Sequence, residues 1–225
     1  MSILLSTNEL YKIYHTNEIE VKAVNNVSIA IEKEKFTILN GRSGSGKTTL
    51  INLLGGLDEE TSGDVFIDDI NITKLNDKQK DKIRREKIGF VFQSVALMSM
   101  MTAYENVELS LRIANINSKL RKQRVMDCLR LVGLEKKALH KPTQLSGGEQ
   151  QRVAIARAIA HKPSIIFADE PTAELDTTTG ISIVKLFKDL IRQEGATIVM
   201  TTHDPDMMSI ADKVYTLQDG EIINE

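Results

Sequence analysis

Two stretches of this sequence combine glycine with hydroxyl residues at the start of a helical pattern, an arrangement that suits phosphate binding. The first is GRSGSGKT, residues 41–48, which fits the pattern G-x-x-x-x-G-K-[S/T] and follows the apolar strand candidate FTILN. Glycines let the backbone curl around phosphate oxygens, while N–H groups and the partial positive charge of the following helix face the anion. This stretch predicts a binding site for a nucleoside triphosphate.

The side chains of this loop have separate predicted roles. Lys47 is long enough to reach the β- and γ-phosphates, and the Thr48 hydroxyl is a suitable ligand for Mg²⁺. The other predicted nucleotide-binding residues are Gly41, Arg42, Ser43, Gly44, Ser45, Gly46 and Thr49. We therefore expect the loop to bind both the phosphates and Mg²⁺.

A pair of neighbouring carboxylates follows a second apolar strand candidate, SIIFADE, residues 164–170. The strand delivers Asp169 and Glu170 at its C-terminal edge, where ligands bind in open α/β sheets. Adjacent side chains at a strand end diverge, so one carboxylate can face Mg²⁺ while the other faces an attacking water. We predict the metal role for Asp169, directly or through a bound water, and the role of general base or water-orienting group for Glu170.

The second glycine-rich stretch, LSGGEQQR, lies between the phosphate loop and the paired carboxylates. Ser146, Gly147 and Gly148 open a helical pattern, with Glu149 next, and free N–H groups and the helix dipole at this end attract anions. The stretch lacks a lysine and a metal ligand, so it is poorly equipped to hold a nucleotide alone. We expect an incomplete phosphate site, in a lobe away from the phosphate loop of the same chain.

The elements that position these residues alternate between strand and helix patterns. This alternation predicts an α/β fold with a mainly parallel sheet covered by helices on both faces. Alternating β-branched residues over 3–40 predict an antiparallel portion beside it, and apolar spacing over 102–132 predicts an α-rich insertion. Asp219 and Gly220 are expected to turn a hairpin.

The charge and composition of the chain limit the classes of partner that it can bind. It has 225 residues, with 29 lysine and arginine residues against 31 aspartate and glutamate residues, so no overall field attracts nucleic acid. The basic cluster KLRKQR, residues 119–124, lacks interleaved aromatic residues and is expected to be a solvated helix face. We therefore expect no nucleic-acid partner.

No apolar run approaches the roughly 18 residues of a membrane helix. The single cysteine, Cys128, is expected to be a buried small hydrophobe.

The order of these motifs resembles that of the ATP-binding subunits of ABC transporters, over essentially the whole chain. The most specific part of the resemblance is LSGGE between a phosphate loop and FADE. The resemblance implies that Tyr14, with Tyr11 as the alternative, stacks on the adenine of ATP. It also implies that Gln93, at the end of GFVFQ, contacts Mg²⁺ and links the site to a membrane subunit. By the same resemblance Asp176 belongs to the D-loop and His203, in TTHD, contacts the γ-phosphate.

The resemblance further implies an architecture and an assembly. The fold would be a P-loop NTPase (RecA-like) core over about 1–93 and 160–225, with an N-terminal antiparallel β portion and an α-helical subdomain over about 94–159. Two subunits would form a head-to-tail homodimer, in which the LSGGE segment of each closes on the ATP held by the other. This dimer would drive an integral-membrane permease, so the chain would be cytoplasmic and peripheral on the inner face of the membrane.

Several stretches, among them IGFVFQ and MTAYENV, look most similar to the LolD/MacB-type branch, which serves lipoprotein release, macrolide or peptide efflux and haem efflux. That branch implies an FtsX/MacB-type permease. The alternatives are an FtsE-like ATPase that controls cell-wall remodelling and a soluble ABC ATPase outside transport. The methionine-rich stretch 98–101 is expected either to receive a permease helix or to belong to the subdomain core, and the sequence leaves both open.

Overall fold

The computed structural model describes residues 2–16 and 19–224. The chain divides into two compact units. The first consists of Met1–Arg84 and Thr197–Glu225 and contains the phosphate loop, so we call it the phosphate-loop unit. The second, Arg85–Ala196, is rich in helices, and we call it the helical unit.

Strands and helices alternate as the sequence patterns predict. The strands are β1 (Ile3–Thr16), β2 (Ile19–Val27), β3 (Ala30–Glu32), β4 (Phe36–Asn40), β5 (Ser62–Ile67), β6 (Ile70–Asn71), β7 (Ile88–Val91), β8 (Ile165–Asp169), β9 (Thr197–Thr202), β10 (Lys213–Gln218) and β11 (Glu221–Asn224). The helices are α1 (Lys47–Leu54), α2 (Asp77–Lys87), α3 (Ala103–Ile113), α4 (Ser118–Leu131), α5 (Gly147–Ile159), α6 (Thr177–Glu194) and α7 (Pro205–Met208). Within the described ranges, none of these helices is both long and apolar enough to cross a membrane.

An antiparallel sheet forms the first part of the phosphate-loop unit. Its strands lie in the order β2-β1-β5-β6, and β3 also pairs with β1. Along β5, Val65 and Ile67 are buried while Phe66 between them is less buried, as expected for a sheet with one covered face. The predicted antiparallel portion is confirmed.

A group of parallel strands carries the phosphate loop. β4 pairs in parallel with β10 on one side and with β9 on the other, and β11 forms a hairpin with β10. β4 and β9 are buried along nearly their whole lengths, which agrees with their unbroken apolar sequences. The hairpin turns at Asp219 and Gly220, whose φ values of 49° and 81° lie in the left-handed region, as predicted.

The helical unit combines the parallel pair β7 and β8 with four long helices, α3 to α6. α3 begins with a capping box, in which Thr102 accepts from the N–H of Glu105 and the Glu105 carboxylate accepts from the N–H of Thr102. Val107, Val125 and Ile155, from three different helices, are fully buried. The predicted α-rich insertion is therefore confirmed, as two helices separated by a short turn.

Two side chains of α4 belong to the interior of the helical unit. Cys128 is fully buried, as predicted, and burial raises the pKa of its thiol to about 12, so it is unreactive at neutral pH. Arg124 lies within the cluster predicted to be solvated, but it pairs with Glu194 at 3.0 Å and donates to the carbonyl of Ala160 at 2.8 Å. The prediction is wrong at this residue, because the guanidinium joins α4 to the end of α6.

Candidate functional site

The phosphate loop connects β4 to α1 and wraps around its own lysine. The ammonium group of Lys47 donates to the carbonyl oxygens of Gly41 at 2.8 Å and Arg42 at 3.0 Å. Lys47 is buried and is the first residue of α1, so its charge lies at the positive end of the helix dipole. Two sources of positive potential therefore converge inside the loop, which suits a polyphosphate.

Three features of the loop fit a phosphate group. Gly46 has φ 100°, and a Cβ on it would lie 2.1 Å from the carbonyl oxygen of Ala23, so glycine is required there. A Cβ on Gly44 would meet nothing within 4 Å among the described residues, so this side of the loop is open. The buried hydroxyl of Ser45 has no hydrogen-bond partner in the described part of the chain, and a phosphate oxygen would satisfy it.

A cavity of about 580 Å³ borders the loop and is lined by residues 41–45, His203 and the β10–β11 hairpin. His203 directly follows β9, whose last residue, Thr202, pairs with Asn40 immediately before the loop. Because parallel strands end at one edge of a sheet, the histidine and the loop share that edge. The structure thus brings two of the predicted phosphate-contacting groups together.

Tyr14 is held by a small polar network in the phosphate-loop unit. Its hydroxyl donates to one carboxylate oxygen of Asp58 at 2.8 Å, and the Lys12 ammonium donates to the other at 2.8 Å. Lys12 also lies 4.9 Å from the centre of the Tyr14 ring. Partial burial and the hydrogen bond to Asp58 raise the pKa of the phenol, so it remains a neutral donor. The Tyr14 ring is exposed and available for stacking, whereas Tyr11 is half-buried.

In the helical unit, Asp169 and Glu170 lie at the C-terminal end of β8, as predicted. β8 runs parallel to β7 with Ala168 opposite Val91, so Gln93 leaves β7 at the same edge. Glu170 has φ 41°, which is uncommon for a residue with a Cβ. Such backbone conformations concentrate at functional sites, where the surrounding structure imposes them. The unit therefore gathers the predicted metal ligand, the predicted base and the glutamine.

The signature segment, residues 145–149, forms the N-terminus of α5. Ser146 is the N-cap: its hydroxyl accepts from the N–H of Glu149 at 3.3 Å, and the Glu149 carboxylate accepts from the N–H of Ser146 at 3.1 Å. Lys137 donates to Glu149 at 2.6 Å, and this bond, with that from Ser146, lowers the pKa of the Glu149 carboxyl. The N–H groups of Gly147 and Gly148 have no acceptor within the helix, so the first turn can still bind an anion.

The signature glycines pack against the segment that contains Asp176. A Cβ on Gly148 would lie 2.5 Å from Cγ2 of Thr179, whereas a Cβ on Gly147 would lie at an ordinary 3.8 Å from Cδ2 of Leu175. Asp176 caps α6 by accepting from the N–H of Thr179 at 3.0 Å. The structure therefore joins the signature segment to the D-loop aspartate through Thr179.

An apolar groove of about 300 Å³ lies in the helical unit among β7, α3 and α5. Met98 and Met100, on the chain between β7 and α3, are 51% and 79% exposed. The buried side chain of Asn106 holds the two ends of the segment 98–101, since it donates to the carbonyls of Met98 at 3.1 Å and Met101 at 3.2 Å. The alternative that Met98 and Met100 belong to the subdomain core is therefore wrong.

Sequence reasoning missed three residues that hold predicted site residues in place. Lys12 and Asp58 orient the Tyr14 side chain, and Arg157 donates hydrogen bonds to the loop that follows Gln93. Spacing patterns do not signal contacts between segments far apart in the chain. The one usable signal was the charged Arg157 within the otherwise apolar stretch VAIARAIA.

Comparisons with known proteins agree with this geometry. The family description "ABC transporter" matches residues 24–173. The chain is 44% identical over 226 residues to an uncharacterized ABC transporter ATP-binding protein, MJ0796 of Methanocaldococcus jannaschii, with 99% of this chain and 96% of that protein covered. It is 41% identical to the lipoprotein-releasing system ATP-binding protein LolD of Legionella pneumophila, with 98% and 97% covered. A dimeric structure of the MJ0796 ATP-binding cassette in a post-hydrolysis state, bound to ADP and Pi, matches with a TM-score of 0.90 and 43% identity, over 98% of this chain and 97% of that one.

Proposed function

This chain belongs to the ATP-binding proteins of ABC transporters and is an ABC ATPase, and we propose that it drives an FtsX/MacB-type permease through ATP-dependent closure of a head-to-tail homodimer. The observation that carries the proposal is the start of α5, where residues 146–148 present backbone N–H groups but supply no lysine or metal ligand of their own, and the nearby Lys137 is paired with Glu149. A half-site of this kind needs a nucleotide that another copy of the chain brings. The dimeric MJ0796 cassette supports an assembly of two such chains.

Within one subunit, we assign the phosphates of ATP to the phosphate loop and the adenine to the ring of Tyr14. Lys47 would bond the β- and γ-phosphate oxygens, and Thr48 would be the Mg²⁺ ligand that the phosphate-loop unit offers. In the helical unit, Asp169 and Gln93 are the residues that would serve Mg²⁺. Across the described ranges, no group of three or more His, Cys, Asp or Glu side chains could hold a metal by itself. When bound, Mg²⁺ would offset the negative charge of the phosphates.

Hydrolysis is assigned to Glu170 and His203. Glu170 orients or deprotonates the attacking water, and His203 donates to the γ-phosphate as charge develops on it. The γ-phosphate is the group that both subunits contact in the closed dimer, so ATP, and not ADP, favours closure. Cleavage of the β–γ bond therefore releases the dimer, which is the switch that a permease needs.

The first test is Glu170→Gln, which exchanges the carboxylate for an amide of the same shape that cannot take up a proton. We expect turnover to fall about 10²- to 10⁴-fold, while an ATP-bound dimer accumulates in size-exclusion chromatography. Glu174→Gln, at an exposed position of the same unit, is the control and should keep wild-type turnover. A Glu170→Gln variant that remains monomeric with full ATPase activity would contradict both the base and the shared site.

The second test separates the shared site from ATP binding by a single subunit. Ser146→Arg places a bulky cation at the start of α5, so turnover and ATP-dependent dimerisation should be lost. ATP binding by the monomer should persist, because the phosphate loop is unchanged. Ser118→Arg, at the start of α4, is the matched control. Loss of ATP binding in the monomeric Ser146→Arg variant would count against a site shared between subunits.

The permease contact is proposed at the exposed methionines between β7 and α3. Met98 and Met100 are flexible apolar side chains of a kind suited to receiving a partner helix, and the contact would hold the chain on the inner face of the membrane. Met100→Cys adds an exposed thiol to a chain whose own cysteine is buried. We expect crosslinking to a co-expressed FtsX-type permease, and crosslinking only to a second copy of this chain would favour a soluble ATPase.

A further inference from the structure

The loop that follows β7 is held by an arginine from the far end of α5. The Arg157 guanidinium donates to the carbonyl oxygens of Ala96 at 2.6 Å and Val95 at 3.1 Å. Both carbonyls belong to the segment 93–97, which we call the Gln93 loop. A two-pronged guanidinium contact of this kind fixes orientation as well as distance.

The backbone that Arg157 holds is in an unfavourable conformation. Val95 has φ 54° and Ala96 has φ 48°, both in the left-handed region. Side chains with a Cβ rarely adopt this region, and a β-branched valine does so least readily. Such a conformation persists only where neighbouring groups impose it. Without the guanidinium, the loop would therefore relax, and Gln93 at its start would move.

Arg157 in turn depends on the loop. Its side chain is half-buried, and this burial lowers the pKa of the guanidinium. No carboxylate among the described residues pairs with Arg157, so the two carbonyl oxygens and the negative end of the α5 dipole compensate its charge. Loss of either carbonyl would leave a half-buried cation with fewer acceptors, so arginine and loop hold each other in one arrangement.

The same end of α5 also holds the start of β7. The Nε2 atom of His161 lies 3.0 Å from the carbonyl oxygen of Ile88. A Cβ on Gly89 would lie 2.5 Å from the carbonyl oxygen of Ala158, so the strand and the helix backbone are in close contact. The C-terminal end of α5 therefore holds the chain on both sides of Gln93. It contacts β7 before this residue and the Gln93 loop after it.

We propose that Arg157 is a positioning residue for Gln93, and that the C-terminal turn of α5 thereby sets where this glutamine lies. The inference rests on the proposed function, because it takes Gln93 as a group that serves the nucleotide. The inference also connects the Gln93 loop, through α5, to the other end of this helix, where Ser146 is the N-cap in the signature segment. A rigid displacement of α5 would carry the Gln93 loop with it.

Arg157→Lys tests this proposal, because lysine keeps the charge but loses the planar pair of donors. We expect kcat to fall about tenfold or more with the KM for ATP little changed, since the phosphate loop is intact. In the nucleotide-free protein, hydrogen exchange at residues 94–97 should accelerate while that of the α5 amides stays slow. Arg121→Lys is the matched control, because Arg121 also donates to a carbonyl, that of Ile116 at 2.7 Å, and lies outside the Gln93 loop.

A double-mutant cycle separates positioning from general packing. If Arg157 acts through Gln93, the double variant with Gln93→Ala and Arg157→Lys should hydrolyse ATP no more slowly than the single variant Gln93→Ala. Losses that multiply, or an Arg157→Lys variant with wild-type kcat and loop exchange, would overturn the proposal. An inactive wild-type protein would instead overturn the proposed function.

A second variant covers the case in which Arg157→Lys fails to fold. Ala96→Pro forces the exposed residue 96 out of its left-handed φ, because proline fixes φ near −65°, and leaves Arg157 in place. We expect the same drop in kcat and the same lack of additivity with Gln93→Ala. Wild-type kcat in Ala96→Pro would show that the conformation held by Arg157 does not matter to Gln93.

Discussion

The substitution Gly148→Ala should destabilise the folded protein, and the structure allows the loss of stability to be estimated. The added Cβ would lie 2.5 Å from Cγ2 of Thr179, whereas carbon atoms in contact are about 3.5–4.0 Å apart. One of the two must therefore move by about 1 Å. Thr179 has little freedom to do so, since its N–H donates to Asp176 at 3.0 Å and β-branched side chains have few rotamers.

The expected loss follows from two opposing terms. Overpacking of this kind lowers the free energy of unfolding by about 1–3 kcal/mol. Replacing glycine by alanine in a helix raises it by about 0.5–1 kcal/mol. At the middle of these ranges the free energy of unfolding falls by about 1 kcal/mol, equivalent to a decrease in Tm of about 2–4 °C for a chain of this size. Urea unfolding and thermal melting followed by circular dichroism measure both quantities.

Two further variants decide whether this contact is the cause. Thr179→Ser removes Cγ2 and keeps the hydroxyl, so the pair Gly148→Ala and Thr179→Ser should recover most of the lost stability. Gly147→Ala puts a Cβ at 3.8 Å from Leu175, so it should be as stable as the wild type or slightly more stable. Wild-type stability of Gly148→Ala, or a pair no better than Gly148→Ala alone, would refute the packing argument.

Gly147→Ala also separates stability from function. If the first turn of α5 receives the γ-phosphate of the other subunit, a methyl group on Gly147 obstructs the backbone approach that the phosphate needs. Turnover should then fall although the fold is intact. Full turnover in Gly147→Ala would contradict the proposed role of the signature segment.

Two other expectations concern the phosphate-loop unit and the end of α5. Asp58→Asn should weaken ATP binding about 2- to 10-fold in a fluorescence titration, because Tyr14 loses the charged acceptor that orients its ring. Asp64→Asn is the control, and an equal loss of ATP binding in both variants would contradict the role of Asp58 in orienting Tyr14. Burial lowers the pKa of His161, so as pH falls below about 6.5 the unfolded chain takes up a proton before the folded chain does, and stability declines. His161→Gln should flatten this decline in melting curves between about pH 7.5 and 5.5, and an unchanged slope would refute it.

Features fixed by neighbouring residues were predictable from the sequence. The apolar run FTILN, followed by the glycine-rich loop, leaves few alternatives to strand, loop and helix, and the structure has β4, the loop and α1 in that order. The C-terminal position of Asp169 on β8 likewise follows from an apolar run that ends in a charge. In each case the chemistry of the site and the local backbone preference point to the same conformation.

Features that join distant segments were not predictable in this way. Tyr14 and Asp58 are 44 residues apart in the chain, and Arg157 and Ala96 are 61 residues apart. Hydrophobic periodicity places a residue on a face of a helix or strand but does not say which loop that face meets. The left-handed conformation of Val95 was equally hidden, since a β-branched residue argues against it and the hydrogen bond from Arg157 that supports it comes from a distant segment.

The two ends of α5 suggest how nucleotide bound to one subunit could affect the catalytic groups of the other. Ser146 caps the helix at one end and Arg157 holds the Gln93 loop near the other, a span of about 17 Å along the axis. A packed helix of this length moves as a rigid body, so a displacement that begins at the signature segment reaches Arg157. On the proposed mechanism, ATP contacted in trans would shift Gln93 in the subunit that makes the contact. Each subunit would then sense the nucleotide of its partner through one helix.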